Sequence, residues 1–517
     1  MSFNLSTRRV PGVLAMVLVA FGAATAQAQP MGAEDARFLL TRTGFAPTEV
    51  EVRALAPLSR AAAVERLLSG ARAEALTPRP AFIAEPFERP RLQQMTDEER
   101  KAFQAREIRR GFELRSWWMT EMLTTTSPLT ERMTLFLHNH FVSSLQKVRS
   151  AHLMYHQHLL LRRHALGNFG DLLHAVAKDP AMIVYLDAAT NRRGAPNENF
   201  AREVMELFTL GEGNYTERDI KEAARAYTGW SIDPETGEFL WRPFAHDDGA
   251  KTLLGRNGNF DGDAVLDILL AQPTCAEFIV RKLWREFVST GVPSPGDDSE
   301  IRRIAAQFRG ARFDIKVALR GIFNSPRFHA PEHRAALVKS PVDLVVGTVR
   351  QMGIGYTDPL PFVIVASGLG QNLFAPPNVR GWPGGEAWIN SSTLLGRKQF
   401  VERLFRVDEM RDMAGAIPVD APGPMAMQTS TGPLRNGDFG QVKGGGRLGP
   451  DGRALFRQAA ASIQFDGDRF FAQFAGRPHA SIKQAMLPAE PANPLPAGLS
   501  EWQLLRALLL DPVYQLK

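Results

Sequence analysis

Apolar residues recur at spacings of three and four along most of this chain, the period of helices with one buried face. Ala63, Val64, Leu67 and Leu68 carry it between Arg60 and Ser69, and Gly70 supplies the stop. Shorter stretches run from Ala36 to Leu40 and from Thr48 to Leu55. Prolines crowd Pro78 to Pro90 and predict an irregular connection. Thr96, with Glu99 three residues on, predicts a capping box and a long helix toward Leu123. Ser127 and Pro128 open the next helix, which carries Met133, Leu135, Phe136 and Leu137 toward His138. Thr216 with Asp219 predicts another start, and Ser340, Pro341 and Asp343 a third, ended by Gly353. Alternation of period two is confined to Trp230–Pro243, with Phe239 and Trp241 on one side of a turn at Asp233 to Gly237. The fold class expected is mainly α: a large helical body with one or two small β-hairpins and a long Gly/Pro-rich loop.

That loop runs from Ala414 to Gly452, where apolar periodicity lapses. Gly444, Gly446 and Gly449 within it match a dinucleotide fingerprint by letter, but no strand precedes them, so the phosphate-binding turn is not expected. Helical periodicity resumes at Arg453, and Leu499 to Leu510 forms a closing helix. LRGIFNSPRF and LRALLLDPVY share an apolar helix end followed by Pro and an aromatic, a helix-ending device. The start of the chain has a different character. Arg8 and Arg9 precede an apolar run from Val10 to Ala24, and Ala26-Gln27-Ala28 offers a cleavage site. The run is shorter than the roughly 20 residues that span a bilayer, so removal is expected rather than anchoring. Sec and twin-arginine export both fit. The expected organisation is an export signal at 1–28, a helical body at 29–413, a linker or loop insert at 414–452, and C-terminal helices at 453–517 that pack on the body. The mature protein is then periplasmic or extracellular, with no transmembrane anchor.

Composition adds limits. Of 517 residues, 44% are hydrophobic and 22% charged, the balance of a globular protein. The net charge of +6 is spread out, with no Lys/Arg block to suggest a nucleic-acid partner. The single cysteine, Cys275, excludes an internal disulfide and sits where a buried small residue is expected.

A family resemblance rests on RFLLTRTGF near the mature start, FLHNHF at Phe136–Phe141, RHALGNF at Arg163–Phe169 and KDPAMIVYLD at Lys178–Asp187. It continues through Asn191–Trp230, HDDGAKTLLG at His246–Gly255, VKSPVDLVVG at Val338–Gly347 and PPNVRGWPGGEAWINSSTLLGR at Pro376–Arg397. The chain resembles the bacterial exported proteins grouped as domain of unknown function 1800. The resemblance implies an exported helical protein. Relatives often sit beside genes for exported proteins similar to sulfatases and phosphatases, which makes such a protein an expected partner.

Several polar motifs could carry chemistry. His138 and His140 are about 200° apart on a continuous helix and share a metal only if the helix ends between them. Their ordinary role would be to meet the helix's C-terminal carbonyls. Asn197, Glu198, Asn199, Arg202, Glu203 and Glu206 follow Pro196, with Asn199, Glu203 and Glu206 on one face. Glu203 and Glu206 could address one cation or one substrate group, or form a structural network. His246, Asp247, Asp248 and Lys251 lie in a loop by composition, either a half-site for metal or base chemistry or a solvated turn. Asn257, Asn259, Asp261, Gly262 and Asp263 imitate a calcium loop, but Ile268 stands where a bidentate Glu is needed, and Asp263 is expected to cap a helix instead. His152, His156 and His158 are expected at the surface, since the family pattern does not hold histidine there. Trp382, Glu386, Trp388 and Asn390 occupy a Gly/Pro-rich loop that could hold sugar rings or bury its indoles. No GxSxG, HExxH or Walker A pattern occurs.

Two readings follow. In one, His138, His140, Glu203, Glu206, His246, Asp247 and Lys251 form a catalytic set for hydrolysis or transfer on an envelope or extracellular polymer. Asn197, Asn199, Arg202, Trp382, Trp388 and Asn390 would bind substrate there. A divalent metal would sit on His138, His140, His246 and Asp247. In the other, the protein is a non-catalytic binding or assembly module for a glycan or for a secreted sulfatase- or phosphatase-like partner.

Overall fold

The computed structural model describes residues 29–87, 94–405 and 450–517. Most of the 414–452 segment and all of residues 1–28, where an export signal is expected, lie outside them, as does the end of the Pro78–Pro90 connection. Helices dominate, and the only sheets among the described residues are two antiparallel hairpins.

The start signals act as the sequence implies. Thr96 and Glu99 close a capping box on the 28-residue helix Asp97–Thr124. Thr216 with Asp219 and Ser340 with Asp343 do the same for Glu217–Ala226 and Pro341–Met352, and left-handed Gly353 ends the latter. Ser325 and Asp511, each before a proline, leave helical geometry, as the ring of the following residue requires. Trp230–Ile232 pairs with Phe239–Trp241, and Lys251–Leu253 with Arg256–Gly258.

One buried core runs from Ala36 to Tyr514. Helix Pro128–His140 is buried on nearly every side and forms its axis. Helices Ala151–His164, Asp97–Thr124 and Gly32–Thr43 pack on it, and its Arg132 reaches Asp343 of Pro341–Met352 and Glu286 of Pro273–Phe287. The C-terminal helices join this core: Tyr514 hydrogen-bonds Thr348 at 2.7 Å, and the Lys517 ammonium pairs with Asp343 at 2.7 Å. No helix among the described residues is long and apolar enough to cross a membrane.

Three local readings change. His158 is fully buried, because its side of Ala151–His164 faces Trp117 and Trp118. Asp261, not Asp263, caps Gly262–Ala271, accepting from the Ala264 amide at 2.9 Å. Asp263 instead meets Lys178 at 2.7 Å and His174 at 2.9 Å. The helix carrying Glu203 and Glu206 changes from α at Asn199–Glu203 to π at Val204–Thr209, which the periodicity did not signal. A π segment is a frequent mark of functional positions.

Candidate functional site

Helix Pro128–His140 stays regular through His140, so its two histidines point apart. His138 packs on Trp118 and Phe374, and its Nε2 lies 3.1 Å from Nδ1 of His158. Burial holds its pKa down at about 3. His140 turns the other way, toward Phe141, Phe208 and Phe278. Its Nε2 is 3.2 Å from the Phe208 carbonyl oxygen, a hydrogen bond only if Nε2 carries the proton. Nδ1 is then left as a buried lone pair with no partner. Burial first, and the charge of Lys282 second, keep this imidazole neutral.

Between the histidines, Asn139 clasps the tryptophan loop. Its Oδ1 accepts from the Trp382 amide at 2.6 Å, and its Nδ2 donates to the Trp382 carbonyl at 3.3 Å. The clasp needs Gly381, whose φ is +82° and whose added Cβ would lie 2.2 Å from Asn139 Oδ1. Trp382 is thereby buried with its indole N–H unpartnered.

His140, Asn139, Trp382 and Trp388 line a pocket of about 240 Å³. Its charged lining is Arg132, Lys282, Arg285, Arg380 and Lys517 against Glu286 and Asp343, an excess of cations. The back wall is internally satisfied. Arg132 bonds Asp343 and the Gly44 carbonyl and meets Glu286 at 3.3 Å, while Lys517 adds a second cation to Asp343. Burial alone would raise the Asp343 carboxyl, but these two cations hold it well below its usual range. The front is different. Among the described residues Lys282 donates only to the Leu207 carbonyl, at 3.0 Å, above the Phe278 ring, and meets no carboxylate. Burial, then Arg285 and Arg380, lower it to about 8. Arg285 donates to the Thr290 carbonyl. Arg380 reaches out of the pocket to Glu206 at 2.9 Å and Glu212 at 2.8 Å. Glu206 also accepts from the Tyr215 hydroxyl at 3.0 Å. Glu203 is raised by burial and by Glu206 beside it.

The histidine motif, the Glu203–Glu206 helix and the tryptophan loop therefore meet. His246 does not join them. It packs at a tilt against Trp241 and bonds the Thr228 carbonyl at 2.9 Å. Asp247 is gripped by Arg225 at 2.8 and 3.1 Å, which depresses its carboxyl to about 2. The Lys251 ammonium donates to the carbonyls of Asp247 and Gly249. Lys251 lies in the second hairpin rather than a loop. None of these three lines the pocket. The proposed metal quartet His138, His140, His246 and Asp247 is not assembled: His138 meets His158, His246 meets Thr228 and Asp247 is held by Arg225, away from His140. Among the described residues no three His, Cys, Asp or Glu side chains gather to hold a cation.

Other candidates serve nearby backbone. Asn197 accepts from the Asn199 amide and donates to Thr190. Asn199 donates to the Leu186 carbonyl at 3.1 Å. Arg202 pairs with Glu217 at the surface. Asn390 caps helix Ser391–Phe405 through the Thr393 amide. Cys275 is fully buried, and its thiol is pushed up to about 12, so it is no nucleophile.

Sequence reasoning missed Asn139, Lys282, Arg285 and Arg380. Arg380 sits inside the quoted Pro376–Arg397 motif, two residues before Trp382, and Asn139 between the two noted histidines. Lys282 gave no signal beyond a basic residue on the polar side of an amphipathic helix.

The family model described as Protein of unknown function (DUF1800) matches residues 38–516. No curated protein matches the chain, and no solved structure does.

Proposed function

The chain belongs to the DUF1800 family, and from that premise we propose that it binds an anionic, hydroxyl-bearing group of an envelope or extracellular polymer in the His140–Trp382 pocket. One observation carries the reading. His140 with an unpartnered lone pair, Trp382 with an unpartnered indole N–H and Lys282 with an ammonium that meets no carboxylate among the described residues line one cavity. A buried polar atom left unpaired costs about 1–3 kcal/mol, so two in one cavity mark a place where a ligand supplies the partners. A ligand hydroxyl would donate to His140 Nδ1. A ligand oxygen would accept from Trp382 Nε1. A carboxylate, sulfate or phosphate would meet Lys282 and Arg285. The indoles of Trp382 and Trp388 suit the apolar face of a sugar ring. A divalent metal does not fit this lining, because the cationic excess repels it and the oxygen ligands it needs are already paired. The exported location this reading assumes is that of the N-terminal signal expected from the sequence.

A second reading, hydrolysis or transfer on the same polymer, is favoured by Lys282. An amine held at about 8 exchanges its proton near neutral pH, as a general acid or base must. His140 is a poorer base, because burial keeps its proton affinity low. Affinity electrophoresis of the protein through gels containing polyuronate, sulfated dextran or neutral dextran separates the cases. Retardation by an anionic polymer only, weakened by Trp382→Phe, is expected. Equal retardation by neutral dextran, or none by either anionic polymer, would refute the proposal. Release of shortened chains by the unaltered protein, lost in Lys282→Met, would select the catalytic reading. Co-purification with a sulfatase- or phosphatase-like protein while Trp382→Phe leaves retardation unchanged would select assembly instead.

A further inference from the structure

A second cavity of about 100 Å³ lies beside helix Gly32–Thr43, between helix Pro341–Met352 and the segment 484–488. It shares only Lys517 with the first pocket. Most of its charged lining is committed. Arg334 pairs with Glu34 and Asp35, and Lys517 with Asp343. Three groups each keep one polar atom without a partner among the described residues. Gln351 is 8% exposed, and its amide nitrogen donates to the Ala485 carbonyl at 2.6 Å, while its Oε1 is buried without a partner. Arg37 meets Glu49 through Nη2 at 2.6 Å, yet its Nη1 is buried and unpartnered. Lys339 is buried with its ammonium 3.9 Å above the Tyr514 ring, and it makes no hydrogen bond or ion pair through Nζ among the described residues. Its backbone is fixed on both sides, by Gln515 at 2.7 Å and Arg397 at 2.9 Å, so the side chain is held at the cavity.

Two cationic donors and one amide acceptor define the complement. An anion satisfies Lys339 and Arg37, and a hydroxyl satisfies Gln351. An ammonium would satisfy Gln351 equally, but Arg37, Arg334, Lys339 and Lys517 outnumber Glu34 around the cavity and disfavour it. The volume is that of about three waters at roughly 30 Å³ each, which suits a molecule of a few carbons. We propose that this cavity is a binding site for a small hydroxycarboxylate, held by Lys339 and Arg37 through its carboxylate and by Gln351 Oε1 through its hydroxyl. Burial, with Lys517 and Arg397 nearby, lowers Lys339 to about 7, and Asp343 opposes that shift. A bound carboxylate keeps the amine protonated.

Calorimetric titration of the full chain with lactate, acetate and lactamide tests the site. Lactate should bind. Acetate, which leaves Gln351 Oε1 unpaired, should bind about tenfold more weakly. Lactamide, without the charge, should bind weakest. Gln351→Leu should erase the difference between lactate and acetate, and Lys339→Met should abolish lactate binding. No lactate binding at roughly ten-millimolar concentrations, equal affinity for lactate and acetate in the unaltered chain, or undiminished binding by a folded Lys339→Met variant would each overturn the assignment. Should Lys339→Met not fold, the lactate–acetate ratio with and without Gln351→Leu decides. The outcome is independent of the polymer pocket, because the residues substituted here do not line it.

Discussion

Glu121 and Glu131 share one guanidinium, that of Arg162, and all three side chains are fully buried. Glu121 also accepts from the amides of Leu76 and Thr77, and Arg162 donates to the carbonyls of Ala73 and Glu74, so the trio straps residues 73–77 to the helices. Burial pushes Glu131 up to about 7; Arg162 opposes the shift and Glu121 adds to it. The folded pKa lies above the ordinary value of 4.5. The associated stability is therefore complete below the unfolded pKa and is lost as pH rises through about 7. Urea unfolding from pH 5 to pH 8 should show the unaltered protein losing about 1–3 kcal/mol relative to Glu131→Gln. Asp179, also raised to about 7 by burial, acts in the same direction in both proteins and cancels from the difference. Parallel pH profiles would contradict the assignment. This network was not legible in the sequence. Helical spacing gives the angle of Glu131 and His158 around their own axes, but not the Trp118 and Arg162 that meet them from other helices. The same limit hid Lys282, whose hydrogen-bond acceptor, the Leu207 carbonyl, comes from another helix.

Elements bounded by local chemistry were legible. Thr96, Thr216 and Ser340 each cap the helix expected of them, because capping pairs residues three apart and needs no tertiary contact. The first hairpin follows from alternation around its turn. Positions decided by distant partners were not legible. Asp263 is drawn to Lys178 and His174, which leaves the cap to Asp261. The tryptophan loop is the element on which the pocket depends, and Gly381 is its hinge to Asn139. Gly381→Ala should destabilise the protein by about 1–3 kcal/mol, since it places a Cβ at positive φ against Asn139. Thermal unfolding measures that cost, and affinity electrophoresis should register a parallel loss of anionic-polymer binding as Trp382 shifts. Unchanged melting and unchanged retardation together would mean the clasp does not position the indole.

At the scale of the molecule, the mainly helical class and the family follow from periodicity and motif order. The gathering of motifs was half legible. His140 and the tryptophan loop line one pocket across more than two hundred residues of chain, while Glu206 meets Arg380 outside it and, like Glu203, does not line it. His246 and Asp247 instead bond Thr228 and Arg225, and Lys251 bonds the Asp247 carbonyl, which no spacing rule distinguishes from a site. What the fold adds is charge: basic residues from four separate segments face one cavity, and two of them, Lys282 and Arg285, meet no carboxylate among the described residues. The central claim is that this cavity recognises an anionic sugar. Its most direct measurement is calorimetric titration of the full chain with a galacturonate oligomer and with a neutral glucose oligomer of equal length, repeated with Lys282→Met. The account predicts binding of the galacturonate oligomer alone, weakened by salt and reduced by about tenfold to a hundredfold in Lys282→Met. Equal binding of the neutral oligomer, or galacturonate binding indifferent to Lys282→Met, would contradict it.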